Sequence, residues 1–279
     1  MKIIKAHAVK NLCYIAAKKM TPKGIVVHST GANNPMLRRY VDCPKEVGTN
    51  KYNNHWNTAK PGGKKVCVHA FIGYDKNNKV RVAEILPLNI CCWGVGSGSK
   101  GSYNYNPPHI QFEICEDGLK NHSYYKEAFG VAAEYCAYLC KKYGLSVNQI
   151  VGHAEAHKKG YGSNHSDPGH WMKNFGETMD DFRAQVATLL NNAEQRENSS
   201  VNSDKAEVKV TKCPYLVKVT TAALNIRKGA GTNTAKVGCI RDKGVYTIVE
   251  EQNGVGATLW GKLKSGAGWI SLDFVKRMK

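Results

Sequence analysis

The sequence predicts a mixed α/β domain, a central sheet flanked by helices, followed by a small all-β barrel. Three observations carry this expectation. Short apolar runs alternate with helix-period segments over the first 190 residues. Residues 191–212, NNAEQRENSSVNSDKAEVKVTK, are polar and contain no aromatic residue. Residues 213–279 break into short strands separated by glycine-rich turns. The expected divisions are therefore a domain at 1–190, a linker at 191–212 and a second domain at 213–279, both of ordinary domain size.

The elements follow in order. GIVVHST is a short apolar run and reads as a buried strand. KVCVHAFIGYDKNNKVRVAEILP reads as two strands around a polar turn at 75–78. HIQFEIC is a further strand, in which Gln111 and Glu113 alternate with Phe112 and Ile114. SYYKEAFGVAAEYCAYLCKKYGL is helical, with Ala128, Val131, Ala132, Tyr135 and Leu139 near a 3.6 period and Gly144 as its stop. ETMDDFRAQVATLL is a second helix. In the second domain, YLVKVTTAALNIRKGAG, AKVGCIRDKGVYTIVEEQ and LWGKLKSGAGWISLDFVKRM carry strand signals throughout. Trp260 and Trp269 there are expected in the core.

Composition narrows the partners. The formal net charge is +18, which suits a polyanionic partner such as nucleic acid, a membrane surface or an acidic wall polymer. The basic residues are dispersed, and no helix-turn-helix or zinc-finger pattern favours nucleic acid. No run of about 18 apolar residues indicates a transmembrane helix. The start, MKIIKAHAVKNLCYIAAKKM, lacks the continuous apolar segment of a secretory signal, so synthesis in the cytoplasm without a signal peptide is expected. The 10 cysteines form no CxxC pair, and most are expected as reduced core residues.

The chemistry concentrates in GHAEAHKKGYGSNHSDPGHW, which holds four histidines within twenty residues. A catalytic zinc takes three N, O or S ligands and leaves one position for water. His28 lies in an apolar strand, His153 follows one, and Asp167 sits in a turn fixed by Pro168 and Gly169. Each has a bland structural alternative when taken singly. His153 and His157 stand four apart, but no glutamate follows the first of them as in HExxH enzymes, and the segment runs into a loop composition.

VVHST, VCVHAFIGYD, HIQFEICEDG and GHAEAH with SNHSDPGHW occur in that order between about residues 23 and 182. Together they resemble the zinc-dependent N-acetylmuramoyl-L-alanine amidases, the type-2 family related to phage lysozyme-amidases and peptidoglycan recognition proteins. The resemblance implies Zn2+ held by His28, His153 and Asp167, an acid–base at Glu113, and an oxyanion-stabilising residue at His165. Relatives commonly carry lysine at the last of these positions. It also implies a substrate site edged by His69, Trp93 and Tyr103, although relatives often read Trp-His-Ala-Gly where this chain reads CWGVGSG. His157 and His170 are expected as supporting or surface residues. The tail resembles bacterial SH3-type cell-wall modules through LNIRKGAGTNTAKVG, LWGKL and GWISLDFVKRM.

The function implied is hydrolysis of the amide between N-acetylmuramic acid and L-alanine in peptidoglycan. The agent would be a monomeric phage endolysin or bacterial autolysin of Gram-positive walls, acting after its release from the cytoplasm. The alternative is a non-catalytic peptidoglycan-binding protein of the same fold. A glycosidase would need paired carboxylates in one groove. The nearest candidates, Glu113 and Glu116, are expected on opposite faces of a strand.

Overall fold

The computed structural model describes residues 1–201, 213–232 and 234–278, with the segment 194–201 described by its backbone alone. Two compact units result, Met1–Val201 and Asn202–Lys279.

The first unit is built on a six-stranded sheet. Its strands are β1 (Ile3–Lys5), β2 (Ile25–Ser29), β3 (Ala70–Tyr74), β4 (Val80–Glu84), β5 (Ile110–Ile114) and β6 (Ile150–Gly152), in the order β1-β4-β3-β5-β2-β6. Only β3 and β4 pair antiparallel; the other pairs are parallel. The turn between β3 and β4 is closed by Asp75, whose Oδ1 accepts from the backbone N–H groups of Asn77 and Lys79. Six helices complete the unit: α1 (Leu12–Ala16), α2 (Pro44–Val47), α3 (His122–Tyr143), α4 (His153–Lys158), α5 (Gly169–Lys173) and α6 (Met179–Val201).

The strand β2 is buried along its whole length, as a central parallel strand covered on both faces must be. Its pleat sends Ile25 and Val27 into one core and Val26 into another. The first core is closed by α3, whose Tyr125, Ala128, Phe129 and Tyr135 pack there with Trp171 and Phe182. Asn121 caps α3 by accepting from the Tyr124 N–H, and Gly144 ends it in the left-handed region at φ 63°. The ten cysteines are unpaired and seven of them are buried.

One boundary differs from the sequence reading. The polar run starting at residue 191 reads as linker with the end of a helix on its left side, and α6 takes up that side as far as Val201. The physical reason is propensity: Ala193, Glu194, Gln195, Arg196 and Glu197 favour helix, and neither Gly nor Pro interrupts them. The remaining part of the expected linker, 202–212, lies outside the described residues.

The second unit is a seven-stranded antiparallel sheet in the order β13-β7-β10-β11-β12-β8-β9. Its strands are β7 (Tyr215–Val219), β8 (Leu224–Arg227), β9 (Lys236–Ile240), β10 (Val245–Gly254), β11 (Ala257–Leu263), β12 (Trp269–Ser271) and β13 (Val275–Arg277). Val217, Leu224, Ile248, Leu263 and Ile270 form its core, and Trp260 and Trp269 are buried. No helix among the described residues is long and apolar enough to cross a membrane.

Candidate active site

Three adjacent parallel strands, β5, β2 and β6, end on the same edge of the first sheet. The carboxyl ends of parallel strands are where such sheets present functional groups. His28 is the penultimate residue of β2, and its register partner on β5 is Glu113. His153 directly follows β6 and opens α4. Residues paired in register share a face, so His28 and Glu113 point to the same side of the sheet. Gln111, paired with Val26, lies on that side as well.

Asp167 reaches this edge from the loop before α5. Gly152 permits the approach, since a Cβ there would meet Pro168 Cδ at 3.1 Å and Met179 Cγ at 3.3 Å. His28 Nδ1 then lies 3.1 Å from His153 Nδ1 and 3.0 Å from Asp167 Oδ2, while His153 Nδ1 lies 3.2 Å from Asp167 Oδ1. All three residues are buried. Tetrahedral zinc with bonds of about 2.0–2.1 Å requires ligand atoms about 3.3 Å apart. The donor set therefore suits a zinc ion in both chemistry and spacing.

The outer nitrogens of the two histidines are held as well. His28 Nε2 is 3.1 Å from Gln111 Oε1, and the Gln111 amide nitrogen donates to Asn104 Oδ1 at 2.9 Å. The same Asn104 oxygen accepts from the backbone N–H groups of Gly94 and Val95, which fixes the chain of partners. His153 Nε2 lies 3.2 Å from Ser163 Oγ, which donates to the Val95 carbonyl. Protons on both Nε2 atoms leave both Nδ1 lone pairs facing each other and Asp167, the tautomer a metal requires. In the metal-free site burial disfavours an ionised Asp167, but there a proton on the inner histidine nitrogens takes the place of the metal, and the hydrogen bonds it makes from His153 and His28 outweigh burial and hold the carboxyl well below the usual range.

Gly94 has a defined part here. A Cβ at this position would stand 2.6 Å from Gln111 Oε1. Gly94→Ala is expected to push Gln111 off His28 and weaken zinc binding about tenfold, within the range seen for partners of metal ligands. Competition titration against a chromogenic chelator reads this directly.

The three residues open onto a cleft of about 660 Å³, also lined by Glu113, His165 and His170. Glu113 Oε2 is enclosed and has no hydrogen-bond partner among the described residues. Burial pushes the Glu113 carboxyl up to about 7, with His28 pulling the other way. His165 stacks on His153 with ring centroids 4.6 Å apart, and its Nδ1 is 3.8 Å from Asp167 Oδ1. Its side chain is 61% exposed, so it stands at the mouth of the cleft.

The three expected substrate contacts are not brought to the cleft. His69 is fully buried, accepts from the Gln111 N–H at Nδ1, and lies 2.9 Å from the Ile90 carbonyl at Nε2. Burial lowers its pKa to about 4. With both nitrogens used by the backbone, it is a strut of the sheet. Tyr103 is buried between the rings of His109 and Tyr161. Trp93 packs against the core around Phe71 and beside Tyr105. His157 does lie on a helix with His153, but its Nδ1 meets the Gly162 carbonyl at 3.1 Å.

Sequence reasoning missed Gln111, Asn104 and Ser163, whose roles have no local signature. The strand ends at Ile114, so the pleat no longer governs residue 116. Glu116 turns to Ser29 and His170, both of which line the cleft.

A family profile described as N-acetylmuramoyl-L-alanine amidase matches residues 18–170. The chain is 32% identical over 104 residues to the N-acetylmuramoyl-L-alanine amidase CwlL of Bacillus licheniformis, covering 37% of this chain and 26% of that protein. It is 27% identical over 162 residues to a probable N-acetylmuramoyl-L-alanine amidase of the same organism, covering 55% of this chain and 42% of that one. It thus spans less than half the length of either. The crystal structure of the Staphylococcus aureus hydrolase AmiA in complex with its ligand resembles it with a TM-score of 0.47 and 23% identity, over 67% of this chain and 82% of that one.

Proposed function

This chain belongs to the N-acetylmuramoyl-L-alanine amidase family, and from that premise we propose that it hydrolyses the amide between N-acetylmuramic acid and L-alanine in peptidoglycan with the help of a zinc ion. The observation that carries the reading is the buried trio His28, His153 and Asp167, with ligand atoms spaced for one metal and outer nitrogens already hydrogen-bonded. Bound there, zinc would polarise the amide carbonyl and bring the pKa of water down to about 7.

The chain's own residues divide the remaining work. Glu113, paired in register with His28 and enclosed beside it, takes the proton of the attacking water and returns it to the leaving amine nitrogen. Burial pushes this carboxyl up in the metal-free site, and a cation held by the trio would draw it back toward the ionised form that accepts a proton. His165 donates a hydrogen bond to the carbonyl oxygen as charge develops on it. Stacking on His153 restricts its ring to the cleft mouth.

The second unit supplies wall affinity in this proposal, as an SH3-type barrel. Linked to the catalytic unit, it would raise the effective concentration of the hydrolase at its polymer. The net charge of +18 suits an anionic wall. The protein would act as a monomer, as an endolysin or autolysin of Gram-positive walls, after synthesis in the cytoplasm.

Digestion of purified Gram-positive peptidoglycan tests this. New alanine amino termini that vanish with a zinc chelator are expected. Chelator-resistant reducing ends would replace the reading with a glycosidase, and wall binding without new ends of either kind would replace it with a recognition protein.

A further inference from the structure

Two separate hydrogen-bond networks line the one cleft. The first holds the candidate ligands through Gln111 and Ser163. The second begins at Glu116, which is 4% exposed. Its Oε1 accepts from Ser29 Oγ at 2.6 Å and lies 3.1 Å from His170 Nε2. Its backbone N–H donates to Thr30 Oγ1 at 3.1 Å. Ser29 and Thr30 follow His28 directly, so this carboxylate is locked to the strand that carries a candidate ligand.

The ring it holds lines the cleft, with 30% of its side chain exposed. An ionised carboxylate only accepts hydrogen bonds, so Nε2 of His170 carries the proton in this pair. In the neutral ring Nδ1 then bears a lone pair. That atom is enclosed and has no partner among the described residues. His69, which serves the sheet, has both nitrogens engaged. His170 has one nitrogen fixed by a buried acid and the other unused beside the reaction centre.

We propose that His170, oriented by Glu116, binds the substrate's peptide, accepting a backbone N–H near the scissile amide at Nδ1 after a small rotation of the ring. This rests on the amidase reading for the identity of the ligand, a muramoyl-peptide. It assigns His170 to substrate positioning and leaves proton transfer to Glu113.

The test is calorimetric binding of a soluble N-acetylmuramoyl-L-alanyl peptide to the zinc-loaded full chain, in a Glu113→Gln background so that the ligand persists. Adding His170→Ala is expected to weaken binding about tenfold, with zinc stoichiometry unchanged and the fold retained by circular dichroism. Asparagine, whose amide falls where Nδ1 lies, restores more affinity than glutamine, whose amide falls where Nε2 lies. In turnover on the wild-type background, His170→Ala raises KM with little change in kcat. Unchanged affinity in the alanine variant overturns the proposal. So does rescue by glutamine alone, which marks a purely structural bond to Glu116, or absence of binding to the background protein. Retained binding sensitive to His170, with no release of alanine amino termini by the wild type, would remove the amidase reading and leave this assignment standing.

Discussion

Replacing Glu113 with glutamine is expected to lower kcat by about 10²–10⁴-fold while zinc binding is kept. Glutamine preserves the shape of the side chain but cannot accept the water's proton. Because Glu113 is no ligand of the His28–His153–Asp167 trio, metal content measured by atomic absorption stays at one per chain. A variant with wild-type kcat would remove Glu113 as the base. The same substitution has a second readout in the zinc-free protein. The folded-state pKa of about 7 lies above the ordinary 4.5, so the fold binds this proton more tightly than the unfolded chain does. The resulting penalty is absent below about pH 4.5, grows as pH rises, and is complete above about pH 7. Glu113→Gln is therefore expected to stabilise the zinc-free protein at pH 8 and to leave it unchanged at pH 4. The gain is about 1–2 kcal/mol after allowance for screening through the cleft. Urea unfolding at the two pH values reads the difference.

The second large effect is at Asp167. Asp167→Ala is expected to weaken zinc binding at least about a hundredfold, beyond the range for residues that merely support a ligand, and to abolish turnover at micromolar zinc. The loss goes further than one donor atom. Asp167 Oδ2 and Oδ1 lie 3.0 and 3.2 Å from His28 and His153, so its removal also takes away the carboxylate that draws the two imidazoles together. Asp167→Asn separates the effects, keeping an oxygen donor but not the charge, and is expected to fall between alanine and wild type. Full zinc occupancy in the alanine variant would exclude Asp167 as a ligand.

Much of this site is legible in sequence because strand pleating is local. Gln111 and Glu113 alternate with Phe112 and Ile114, which predicts that they share a face opposite the core around Phe112, and the structure agrees. The reading faltered where polarity serves the scaffold, and it had no rule where the period stops. Glu116 lies two residues past the end of β5, outside the range of any alternation rule. His69, Trp93 and Tyr103 have residue types that suit a substrate groove, but His69 is buried with both nitrogens bonded to the backbone, Tyr103 is buried against other rings, and the half-buried Trp93 packs on the core around Phe71. Polar composition suggested an early linker, whereas helix propensity carries α6 to Val201.

The sequence by itself determined the residue types able to bind metal and move protons, the strands that carry them, and the change from an α/β pattern to an all-β one. It could not decide which of these residues meet. His28 and His153 are 125 positions apart, and His28 and Asp167 are 139 apart, yet their side-chain atoms approach within 3.1 Å. That convergence depends on β2 lying between β5 and β6, and on Gly152 leaving room for the Pro168 turn. Long-range strand order and close backbone approach are properties of the packed chain, because no local window of sequence contains both partners.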